Sequence, residues 1–258
     1  MIIYELVRNT NSEMMRGKEF PESEKQKIVN SLLSAVSDED TVKRFHRGVK
    51  APDDGRNMYP KFYITPYNNG KKLRLITGEL PKTHILASNH YELEILRILA
   101  LFDKDNPKVK YMIDETIKRL DKTCYAHWCS TGECIGAGIS VLRFLSAVRP
   151  QKEQWINQIL APLIRLHDAG KGGAYLIKVN IPFYYMLTAV SVTANELCRE
   201  FIDSQKESLT QKIGLTEITK SSFAIPTNIT NEYGIEKWCA IKNALSILPE
   251  FEYLKSVR

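Results

Sequence analysis

Apolar residues in the second half of the chain recur at three- and four-residue intervals, which is the period of a helix with one buried face. Leu93, Leu96, Leu99 and Leu101 mark a helix over 89–102, and Asn89 with Glu92 forms a capping pair at its start. Asp103 to Pro107 turns the chain, and Pro107 suits the first position of a helix over 107–120. Ser130 and Glu133 make a capping box ahead of a helix over 131–148, which Arg149-Pro150 ends. Further helices are expected over 152–167, over 182–212 with a break, and over 233–247. Residues 170–173 are a Gly-rich helix stop, 174–179 a short strand, and 215–231 a loop.

The first third reads differently. Residues 2–8 suggest a short strand, followed by a helix over 22–36 carrying Ile28, Leu32, Leu33 and Val36, and a shorter one over 38–46. Residues 61–77 alternate about Asn69-Gly70, a favoured two-residue turn, and read as a β-hairpin. The pairing puts Ile64, Pro66, Leu73 and Leu75 on one face and Tyr63, Thr65, Tyr67, Lys72 and Arg74 on the other. The expected division is therefore a small α+β segment, residues 1–83, packed on a helical domain, residues 84–258.

An internal repeat has an offset of 46 residues. Ile95-Leu96-Arg97-Ile98-Leu99 matches Val141-Leu142-Arg143-Phe144-Leu145, and Ile113, Ile117, Arg119 and Leu120 match Ile159, Leu163, Arg165 and Leu166. Each unit is a helix, a Pro-containing turn and a second helix, the signature of stacked αα-hairpins. The pattern resembles HEAT-like repeats and the α/α toroids of terpene cyclases and protein prenyltransferases. The resemblance implies a mainly α protein built as a stacked αα-hairpin array. From Asn89 onward there are 170 residues, fewer than four such periods, so the array is expected to stay open. The prenyltransferases bind zinc through an Asp, a Cys and a His. That trio does not map onto this chain residue by residue, and no catalytic role is carried over.

Composition sets outer bounds. With 43% hydrophobic and 26% charged residues the chain has ample material for a core. The net charge is +6, and residues 1–83 hold 15 Lys/Arg against 11 Asp/Glu, a mild surplus that permits an anionic partner without requiring one. The N-terminal residues lack the long apolar run of a signal peptide, and the longest uncharged stretch, 179–195, contains Pro182 and is too short for a membrane span. Five cysteines, an odd number, fit a reducing compartment, so a cytoplasmic protein is expected.

Candidate chemistry concentrates at Cys124, His127, Cys129 and Cys134. With Ser130 as N-cap, Cys129 and Cys134 take the two positions that meet in a hydrophobic staple. The helix N-terminus there favours thiolate. Three sulfurs and an imidazole suit a tetrahedral zinc shell, and a structural Zn site is the leading reading. Packing thiols, a Cys–His nucleophile pair and a redox pair are the alternatives.

His90 and Glu94, four residues apart on one helix face, are candidates to share a proton or a metal, with Arg97 beside them. Arg97 and Arg143 repeat within apolar stretches, where an arginine either pairs with a buried carboxylate or lines a groove that receives an anion. Lys43, Arg44 and Arg47, with the Tyr63, Tyr67, Lys72 and Arg74 face of the hairpin, form a candidate surface for nucleic acid or a nucleotide. Three functions follow: an interaction or scaffold protein with an unidentified protein or small-molecule ligand, a metal- or thiol-dependent enzyme, and a nucleic-acid binder.

Overall fold

A computed structural model describes residues 3–37, 85–120, 135–149, 152–168, 184–213 and 232–256. The regular elements among the described residues are all helices, with no strand among them. They fall into two compact units, one formed by Met1–Arg8 with Phe20–Pro182 and the other by Asn9–Glu19 with Phe183–Arg258. The expected boundary at residues 83 and 84, the helix at 38–46, the hairpin at 61–77 and the strand at 174–179 lie outside the described residues.

The first unit contains α2 (Glu22–Ser37), α3 (Ile85–Asp103), α4 (Pro107–Leu120), α5 (Ile135–Val148) and α6 (Glu153–Asp168). The central pair is α3 and α5, with α2 and α4 also against α3 and α6 against α5. Composition explains the placement. In α5 every residue from Ile139 to Ser146 is buried, which is more than two full turns, so the helix is enclosed on all sides. The flanking helix α4 is one-sided. Val109, Met112, Ile113, Thr116 and Ile117 face inward, while Lys108, Lys110 and Tyr111 remain exposed.

Asn106 caps α4. Its side chain accepts the Lys108 amide at 3.0 Å, directly ahead of Pro107. Phe20 meets Phe102 with ring centroids 5.1 Å apart, tying the approach to α2 to the end of α3.

The second unit contains α7 (Tyr184–Thr193), α8 (Glu196–Lys212), α9 (Glu232–Leu245) and a 3₁₀ helix over Pro249–Ser256. Here α9 is the hub, in contact with α7, α8 and the 3₁₀ helix. It buries Trp238, Cys239, Ala240, Ile241, Ala244 and Leu245. The part of α1 that belongs to this unit, Asn9–Met15, buries Thr10, Asn11 and Ser12, and the Ser12 hydroxyl donates to the Glu236 carboxylate of α9.

Two expectations are corrected. Where a strand is expected over 2–8, residues 3–8 lie within a helix, α1 (Ile3–Met15). Leu6, Val7, Thr10 and Met15 are buried at helical spacing, and the helix closes on Gly17 at φ +78°. There the Gly17 amide donates to Met14 and the Lys18 amide to Glu13, both at 3.0 Å, the pairing of a Schellman stop. Asn89 does not cap α3, which begins one turn earlier at Ile85 and places Asn89 and His90 inside the helix. Ile85-Leu86-Ala87 continues the helix-favouring composition, and that outweighs the local capping preference of Asn89.

Candidate functional site

The most developed polar arrangement among the described residues is a buried cluster between α3 and α5. Glu94 and Arg97 lie one turn apart on α3, and Arg143 reaches across from α5. The Arg143 Nε donates to Glu94 Oε1 at 2.7 Å and its Nη2 to Oε2 at 3.1 Å, a two-pronged grip. The Arg97 Nε donates to the same Oε2 at 3.0 Å. Side-chain exposure is 3% for Arg143, 5% for Glu94 and 12% for Arg97, so the ions meet away from bulk water.

Burial by itself raises the Glu94 pKa, because it penalises the charged form. The two guanidiniums outweigh it, Arg143 ahead of Arg97, and lower the value from 4.5 to about 2. The carboxylate is therefore ionised throughout the neutral range. It is a weak proton acceptor there, and both of its oxygens are occupied by arginine donors. What the arrangement does well is join two helices at a defined register. Charges buried in such a pair cannot be separated without stranding one of them in a low-dielectric interior.

The structure thus brings Glu94 and Arg97 together and adds Arg143. His90 sits on α3 four residues ahead of Glu94, and its side chain lies outside the described residues. The proposed zinc ligands Cys124, His127, Cys129 and Cys134 also lie outside them, as do Lys43, Arg44, Arg47, Tyr63, Tyr67, Lys72 and Arg74. Among the described residues no group of three His, Cys, Asp or Glu side chains is placed to hold a metal ion. Nor is any described helix long and apolar enough to cross a membrane.

Sequence reasoning missed a second polar cluster, in the other unit, where Cys239 on α9 lies near Lys242, Arg16 and Glu236. Burial pushes the Cys239 thiol up, more strongly than the two cations pull it down, so it rests as the neutral thiol. Burial likewise lowers Lys242, whose ammonium lies 5.7 Å from the centre of the Trp238 ring. The available signal was the row Thr10-Asn11-Ser12 inside an otherwise amphipathic helix, since buried polar residues require partners elsewhere in the chain.

Comparison with protein-family models, curated proteins and solved structures finds no match to this chain.

Proposed function

We infer that this protein is a helical-repeat interaction or scaffold protein. In this reading α3 with α4 and α5 with α6 are two stacked αα-hairpins, and the Glu94–Arg143 pair holds their leading helices in register. The supporting observation is the buried Glu94 carboxylate, gripped by arginines from both helices. An acid or base working at neutral pH needs a pKa near 7, whereas Glu94 is held at about 2.

The 46-residue offset adds an asymmetry. It aligns Arg97 with Arg143 but Glu94 with Ser140, so the second hairpin keeps the arginine without the acid. Arg143 accordingly serves the acid of the first hairpin. The hydroxyl of Ser140 is fully buried and has no hydrogen-bond partner among the described residues. Cys124, His127, Cys129 and Cys134 fall in the connection between the hairpins, and in this reading they form a structural zinc site that sets how one hairpin follows the next.

Two measurements test the reading. Glu94→Gln removes the charge while keeping the size of the side chain. For a register lock it lowers thermal stability and the recovery of a co-purifying partner together. A Glu94→Gln protein as stable as the parent refutes the lock and returns Glu94 to consideration as a catalytic group. Elemental analysis of protein purified without added metal is expected to give one zinc per chain, lost with Cys134→Ser.

A further inference from the structure

In the second unit, α7 ends and α8 begins within two residues. The Ala194 amide still donates to the Val190 carbonyl at 2.9 Å, completing the last turn of α7. Ala194 then takes φ +47°, the left-handed region, in which its Cβ crowds the carbonyl that follows. The next residue, Asn195, is extended at φ −79°, ψ −178°, and its side chain accepts the Cys198 amide at 3.0 Å to cap α8. The Arg199 amide donates to the Asn195 carbonyl at 3.0 Å, so helical bonding resumes at once.

Alanine is the strongest helix former, and here it occupies the one non-glycine left-handed position among the described residues. A glycine would make this corner without strain. The residue Val192, just ahead of it, is 64% exposed. Beyond the corner, α8, α9 and the 3₁₀ helix cohere through α9. Within the unit they meet the preceding chain mainly where α9 packs on α7 and where Glu236 takes the Ser12 hydroxyl.

We propose that the Ala194–Asn195 corner is a hinge for exchange with a second copy of this chain: α7 and α8 join into one continuous helix, and the segment after the corner docks on the partner copy's α7 and α1. The contacts of this segment with α7 and α1 are remade between copies, while those among α8, α9 and the 3₁₀ helix stay within one chain. The exchange relieves Ala194, gives the first amides of α8 helical acceptors in the last turn of α7, and sacrifices the Asn195 cap. A short strained connection of this kind is what favours swapping. The two corner residues therefore act in opposite directions, Ala194 toward the open form and Asn195 toward the closed one.

The test uses the full chain, refolded at high concentration, with mass measured by light scattering after size separation. The parent is expected to yield some dimer that persists on dilution, because a swapped dimer separates only by partial unfolding. Ala194→Gly should lower the dimer-to-monomer ratio by about tenfold or more, since two strained corners are relieved in each pair of monomers. Asn195→Ala should raise it. Dimer in equal proportion in parent and Ala194→Gly overturns the proposal, as does a dimer that dissociates immediately on dilution, and so does a parent that stays monomeric alongside a monomeric Asn195→Ala. If Asn195→Ala fails to fold, the comparison of parent with Ala194→Gly decides alone.

Discussion

Glu94 is a buried carboxylate held between two arginines, and its energetics have a definite sign. Its folded pKa is about 2 against 4.5 ordinarily, so between those values the unfolded chain binds more protons than the folded one. Its contribution is complete above pH 4.5 and is lost as pH falls toward 2. The shift corresponds to stability on the order of 3 kcal/mol. Urea titrations from pH 6 down to pH 2 should show this decline in the parent and a flatter profile in Glu94→Gln. Identical slopes would mean that other carboxylates govern acid unfolding. Arg143→Met takes away two of the three arginine hydrogen bonds and leaves the carboxylate buried with Arg97 alone, at an expected cost of about 3–5 kcal/mol. The surface pair of Arg149 with Asp114 is as short, 2.9 Å, but both side chains are more than a third exposed, and its loss should change little.

At the scale of elements, the helices of the first unit divide into enclosed and flanking types, and α6 carries an internal flaw. Pro162 lies inside α6 (Glu153–Asp168) and supplies no amide for the carbonyl of Gln158, four residues back. Leu160 and Leu163 on either side are buried, so packing holds the helix together through the interruption. Pro162→Ala should restore the backbone bond and raise stability by about 1 kcal/mol or more, seen as a higher unfolding midpoint. An unchanged or lower midpoint would show that the packed α6 gains nothing from that backbone bond. The helices α1, α4 and α8 show the opposite situation, with Gly17, Asn106 and Asn195 each supplying a local stop or cap.

For the whole molecule, the N-terminal helices depend on partners far along the chain. Ser12 bonds to Glu236, and α2 packs against α3. A fragment of residues 1–83 therefore lacks the surfaces that bury both of its described helices. It should show no cooperative thermal transition, whereas the full chain should show one; a sharp melt of the fragment would contradict this dependence. The far-ultraviolet circular dichroism of the full chain should be dominated by helix, as the described residues are.

Much of the helical order was legible because it rests on local rules. The apolar spacing of Ile28 and Leu32, the Pro107 start, the Arg149-Pro150 stop and the break in 182–212 all act within a turn or two, and the observed helices fall close to those expected. The segment 2–8 misled because seven residues with few polar positions fit either period, and the deciding signal, Gly17, stands nine residues beyond Arg8.

At the candidate site, the pattern placed arginines in apolar helices and raised the prospect of a buried carboxylate partner. It could not choose Glu94 over another acid, because Arg143 and Glu94 lie 49 residues apart and meet only through the packing of α5 on α3. Residue order alone therefore determined the helical period, the stops and the candidate charges. The tertiary structure decided which charge meets which, since a pKa near 2 comes from two neighbouring guanidiniums that overcome the opposing effect of burial, and no local pattern encodes their approach.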